Sequence, residues 1–156
     1  MATYTAEIVW TLQEGDDFLK GRYRRGHTVS FDGGVTISAS ASPHVVGEWA
    51  DPNAVDPEEM LVAAVSSCHM LTFLHIARLA GFEITSYQDH AEGLMAEIEP
   101  GKQAITEVTL RPKIDWSGTV PVADRLSRLH EDAHSACFIA NSVRTAVVIA
   151  SQIRKP

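Results

Sequence analysis

Apolar and polar residues alternate over Tyr4 to Leu12, His27 to Phe31 and Val35 to Ala41. A period of two turns one side of a strand toward a core and the other toward water. Asp32-Gly33-Gly34, between the second and third runs, has the composition of a hairpin turn, so this first third predicts an antiparallel meander. The stretch His44 to Val55, which follows Pro43 and contains Gly47, Trp49 and Pro52, predicts a loop. Asp56-Pro57-Glu58-Glu59 then marks a helix start. Asp56 is the N-cap, Pro57 takes the first helical position, Glu59 stands at the reciprocal capping-box position, and two carboxylates meet the positive helix end.

This helix is predicted to run to Gly81. From Met60 to Ala77 it carries no Asp, Glu, Lys or Arg, and the run approaches the length of a membrane span. Ser66, Ser67, Cys68, His69 and His75 interrupt it, which fits a helix buried in protein better than one facing lipid. Being apolar on nearly all sides, it needs cover on nearly all sides, and one small sheet covers a single face. A second helix, a second subunit, or both must supply the rest.

Phe82 to Glu97 and Gln103 to Trp116 alternate again around a Glu99-Pro100-Gly101 turn. Val120 to Ala136 reads as an amphipathic helix with Val122, Leu126, Leu129 and Ala133 on one side, and Val143 to Ile149 as a final strand. Strands, helix, strands, helix, strand is the order of an α+β fold with antiparallel sheet packed on a long central helix. The 156 residues are expected to form one domain, 1–156, with no repeat or linker.

Charge narrows the partners. The formal net charge is −7, and the one basic cluster is Lys20, Arg22, Arg24 and Arg25. A phosphate backbone would meet net repulsion, so a nucleic-acid partner is not expected. The first residues, MATYTAEIVW, lack the basic and apolar regions of a secretory signal, so the expected location is cytoplasmic and no membrane partner is expected.

Two motifs carry candidate chemistry. His130-Glu131-Asp132-Ala133-His134 spells the H-E-x-x-H of zinc peptidases. Such a site needs a third ligand, and the residues after His134 contain no His, Asp or Glu, so no metal site is assigned. His27, His44, His75 and His90 have no partner at metal spacing. The other candidates are the two cysteines, Cys68 and Cys137. Cys68 lies about three turns into its helix, beyond the reach of the helix dipole, and its apolar neighbours favour the protonated thiol. To act as a nucleophile it needs a cation or proton acceptor from elsewhere in the fold. His69 is next to it but points about 100° away around the helix.

The segment Pro57-Glu58-Glu59-Met60-Leu61-Val62-Ala63-Ala64-Val65-Ser66-Ser67-Cys68 resembles the P-E-[EQ]-L-x-A-A-x-x-x-[SA]-C motif of the OsmC/Ohr family, the osmotically inducible and organic hydroperoxide resistance proteins. Cys137-Phe138-Ile139-Ala140-Asn141-Ser142 resembles the family's second motif, C-P-x-[SA]-N-[SA], with Phe138 where proline is common. The resemblance implies an OsmC-like fold, an intertwined homodimer and a thiol peroxidase acting on organic hydroperoxides or hydrogen peroxide. Cys68 would attack the peroxide, become a sulfenic acid, and be captured by Cys137 as a disulfide. A dithiol, such as that of a lipoylated protein, would reduce the disulfide, and no cofactor is called for.

The resemblance also implies an arginine that holds the thiolate and a glutamate that orients it. Glu58 matches the glutamate. On a straight helix it would stand about 15 Å from Cys68, so either the helix breaks or a two-fold partner supplies one of the two. Arg24-Arg25-Gly26-His27-Thr28-Val29-Ser30 resembles the segment bearing the arginine. An ungapped match selects Arg24, and a one-residue slip selects Arg25, which is favoured. The alternative reading, from another class, is a non-catalytic module that binds a hydrophobic small molecule in a pocket lined by Met60, Met70, Phe73 and Leu74.

Overall fold

A computed structural model of the chain describes residues 1–150, and backbone contacts divide it into two compact units, Met1–Met60 and Leu61 onward. In the first unit, strands β1 (Ala6–Val9), β2 (His27–Phe31) and β3 (Thr36–Ala39) form the expected antiparallel meander. Val29 is buried, opposite Ile8 on one neighbour and Ile37 on the other. The stretch expected as a loop contains a short helix α1 (Pro43–Val46), capped by the Ser42 hydroxyl, and a 3₁₀ turn at Gly47–Trp49. The hydroxyl cap and Pro at the first turn are the local signals for that helix.

Helix α2 (Pro57–Leu79) starts as predicted. The Glu59 N–H donates to Asp56 Oδ1 at 2.7 Å while the Asp56 N–H donates to Glu59 Oε2 at 3.0 Å, which closes the capping box. Gly81, at φ +83°, turns the chain out of the helix.

In the second unit the two long alternating runs are each broken once. They give β4 (Glu83–Asp89), β5 (Glu92–Glu99), β6 (Lys102–Leu110) and β7 (Pro112–Ser117). β4 pairs with β7 and β5 with β6, so one long hairpin feeds two sheets. The break has a physical cause. Pro112 has no N–H to continue the ladder, and the Asp89 carboxylate accepts the Arg111 N–H at 2.6 Å and the Ser66 hydroxyl at 2.5 Å.

Helix α3 (Ala123–Ala136) follows, and the last strand, β8 (Ala146–Ile149), lies parallel to β6, with Val147 beside Val108. The fold is therefore α+β with mostly antiparallel sheet, and β8 is the exception to the all-antiparallel expectation.

Two apolar clusters hold this unit. Val65 packs with Val108 and Leu110 of β6, while Phe73 and Ala77 pack with Leu129 and Ala133 of α3. The buried residues of α2, Val65, His69, Phe73 and Ala77, recur every four residues and so form a single stripe. An 18-residue window of α2 has a mean hydropathy of 1.7, yet only 22% of it is buried. Leu71 and Leu79 are exposed.

Candidate functional site

The two cysteines reach one another from different elements. Cys68 sits midway along α2, and Cys137 caps the C-terminus of α3, its own N–H bonded to the His134 carbonyl at 3.2 Å. Both are free thiols, Cys137 fully buried and Cys68 half-buried. The Cys137 thiol lies beside that of Cys68, and the Ile139 N–H, two residues on, reaches the Cys68 sulfur. Burial, and then the Cys68 thiol beside it, push the Cys137 thiol up from its ordinary range; N–H donation from Ala140 opposes the rise. Cys137 is thus held as a protonated thiol beside Cys68, which suits a resolving group that waits for an oxidised partner.

The turn after α3 supplies donors to both sulfurs. The Ile139 N–H points at Cys68 Sγ at 3.5 Å, and the Ala140 N–H at Cys137 Sγ at 3.4 Å. A 3₁₀ turn at Ala140–Ser142 follows. Phe138, which replaces the proline of the family motif, is 81% exposed, and its carbonyl accepts the Ser142 hydroxyl at 2.7 Å. Asn141 and Ser142 close by side-chain bonds a turn that proline would restrict through its ring.

Beside the thiols lies a polar cluster on the same two helices. His69 of α2 is 1% exposed, and its Nε2 lies 3.1 Å from His130 Nδ1 of α3. Their ring centres are 5.4 Å apart and their planes 11° from parallel. With the nitrogens that close, the rings meet edge to edge and the lone pair of one faces the N–H of the other. Phe73 stacks on His130 at 4.3 Å.

Burial, then His134, lowers the His69 pKa to about 4, against a raising contribution from Asp89. Burial, then His69, lowers His130 to about 4, with Asp89 again opposing. Burial, then Asp89, raises Tyr87. The buried Nδ1 atoms of His69 and His134 and the Tyr87 hydroxyl have no protein partner.

Structure thus brings to the H-E-x-x-H helix a third histidine that chain order hides. The edge-to-edge pairing is that of a hydrogen bond, however, whereas two ligands of a tetrahedral ion converge at an angle. Among the described residues no group of three His, Cys, Asp or Glu side chains is placed to hold a metal ion.

The other expected site residues belong to the first unit. Arg24 donates to the Glu14 carbonyl and lies 3.5 Å from Asp16 Oδ1. Arg25 lies with its guanidinium carbon 3.4 Å from the Tyr23 ring centre and donates to the Tyr23 carbonyl. Glu58 stands in the first turn of α2, and its Oε2 is buried without a hydrogen-bond partner.

Of the residues expected to line a ligand pocket, Phe73 is fully buried in the core. Leu74 lines a groove with Arg78, Gly81, Phe82, Glu83 and Ile84, at the C-terminal end of α2.

Sequence motifs single out the two thiols. Nothing in the sequence marks the Ile139 and Ala140 N–H groups, because every residue but proline has one.

Comparison with known proteins places this fold. The sequence profile of the OsmC-like protein family matches residues 50–152. No curated protein sequence matches the chain. Among solved structures, an OsmC-like protein of unknown function from Vibrio cholerae is 45% identical with a TM-score of 0.91, over 96% of this chain and 99% of that one. An organic hydroperoxide resistance protein from Elizabethkingia anophelis is 20% identical with a TM-score of 0.70, over 96% and 93%. The organic hydroperoxide resistance protein OhrB of Bacillus subtilis is also 20% identical, with a TM-score of 0.63, over 95% and 96%. At 20% the last two show a shared fold.

Proposed function

The chain belongs to the OsmC-like family, and from that premise we propose that it is a thiol-dependent peroxidase that reduces organic hydroperoxides or hydrogen peroxide. The observation that carries this reading is the pairing of the only two thiols across α2 and α3, one half-buried and the other buried and protonated.

The chemistry balances with these groups. The Cys68 thiolate attacks one peroxide oxygen, an S–O bond forms, the O–O bond breaks, and the alkoxide leaves and takes a proton as alcohol. Cys68 is now a sulfenic acid. The Cys137 sulfur attacks it, the S–S bond forms, and water leaves with the Cys137 proton. A dithiol reductant, such as a lipoylated protein, restores both thiols by exchange. Free thiols of this kind suit a reducing compartment, which favours the cytoplasm.

Arg25, with Arg24 as the alternative, would hold the thiolate and the peroxide, since a guanidinium stays charged when partly buried and offers several donors. Glu58 would orient that arginine. Its buried, unpartnered oxygen supports the role, because a carboxylate removed from water needs a partner. An intertwined homodimer, the family's arrangement, would cover the apolar sides of α2 left open in one chain.

The ligand-binding reading is the weaker one, since Phe73 is core and the groove beside Leu74 contains neither thiol. The test is hydroperoxide consumption by purified protein with a dithiol reductant. Turnover lost in Cys68→Ser supports the peroxidase, and no turnover by the unaltered chain overturns it.

A further inference from the structure

We propose that Asn141 is a positioning residue for Cys68, holding the turn after α3 so that its backbone N–H groups face the sulfurs. This rests on the thiol chemistry proposed above, but not on a peroxide being the oxidant.

Two successive N–H groups, of Ile139 and Ala140, point at the two sulfurs, at 3.5 Å and 3.4 Å. Each N–H turns its positive end toward one sulfur, Ile139 toward Cys68 and Ala140 toward Cys137. A neutral thiol is a weak acceptor, and a thiolate accepts far more strongly. The Ile139 contact therefore strengthens when Cys68 ionises, and it supplies a fixed donor to a sulfur carried by an apolar helix.

A backbone donor is useful only if its turn is held. Within the turn, the Asn141 N–H donates to the Cys137 carbonyl at 3.1 Å and the Ser142 N–H to the Ile139 carbonyl at 2.9 Å. The Ser142 hydroxyl donates to the Phe138 carbonyl at 2.7 Å. Asn141 does something different. Its Nδ2 donates to the Ser135 carbonyl of α3 at 2.9 Å, and so clamps the turn to the helix it leaves. Ser135 lies in the last turn of α3, where carbonyls have lost their helical partners. One amide thus satisfies an orphaned acceptor and fixes the direction of the donor that reaches Cys68. Phe138 cannot restrict the backbone as proline would, which leaves that work to side chains.

The test is the rate at which iodoacetamide alkylates Cys68 in the reduced, full-length protein between pH 6 and 9, with the label on Cys68 counted by peptide mass mapping. Asn141→Ala and Asn141→Asp both remove the amide donor and should slow the reaction at pH 7 about fivefold, in line with the loss of one neutral hydrogen bond. The rise of the rate with pH should move to higher pH. Asn141→Gln keeps the amide and should recover part of the rate. Ser142→Ala loosens the same turn from within and should give a smaller shift in the same direction, which keeps the proposal testable if Asn141→Ala fails to fold.

An unchanged rate in the folded Asn141 variants overturns the assignment, as does a faster one or a slower one with no movement along the pH axis. No peroxide enters this measurement. A protein that fails to consume hydroperoxide, yet shows the stated shifts, would remove the peroxidase reading and leave the role of Asn141 standing.

Discussion

His69 Nε2 and His130 Nδ1 lie 3.1 Å apart and tie α2 to α3 beside the two thiols. One ring must be neutral and unprotonated at the shared position, and burial lowers both pKa values to about 4 from an ordinary 6.5. A histidine whose folded value is depressed is a stability term present above its unfolded value and lost as pH falls toward the folded one. Between pH 6.5 and 4 the unfolded chain takes up protons that the native pair refuses. His134 adds to the lowering at His69, and Asp89 opposes it at both rings. Stability should fall by about 2 to 4 kcal/mol between pH 7 and pH 5. Chemical denaturation across that range checks it, and a flat profile would contradict the neutral pair.

Gly93 of β5 should not tolerate a side chain. A Cβ there would meet Val62 Cγ2 of α2 at 2.6 Å, and a β-branched residue in a helix has little rotamer freedom with which to yield. Gly93→Ala should lower stability by about 1 to 3 kcal/mol, read as a shift of the denaturation midpoint. A midpoint within error of the parent would mean that β5 and α2 pack less closely.

The sequence exposed most of the skeleton because most elements have local causes. The Asp56 and Glu59 capping box, the alternation of His27 to Phe31 and the Pro57-to-Cys68 motif could be read without a partner in space. What escaped depends on distant residues. The split of the long hairpin follows from Asp89 taking the Arg111 N–H, and the parallel pairing of β8 with β6 joins segments about forty residues apart. His69 looked idle beside Cys68 because its partner, His130, is 61 positions away. The backbone donors of Ile139 and Ala140 leave no trace in residue identity.

Helix α2 predicts an assembly. Only 22% of its apolar window is fully buried in one chain, with Leu71 and Leu79 exposed, and apolar surface left open on a helix of this kind marks an interface. Light scattering at micromolar concentration should give twice 17.0 kDa. A mass of one chain would contradict the dimer and remove the two-fold route by which Glu58 could serve a Cys68.

The arginine can be assigned by substitution. Arg24 is engaged by Asp16, whereas Arg25 lies on the Tyr23 ring with its charge unneutralised by that contact. Arg25→Ala should slow peroxide consumption at least about tenfold, equivalent to roughly 1.4 kcal/mol, and Arg24→Ala should do less. The reverse order would select Arg24. Full activity in both would remove the cation from the mechanism.

The pairing of Cys68 with Cys137 is the centre of the account, and thiol counting after one equivalent of cumene hydroperoxide tests it most directly. Both free thiols should disappear together, with a disulfide joining Cys68 to Cys137 within a single chain and one equivalent of alcohol released. Two thiols remaining after the peroxide is added would contradict the account.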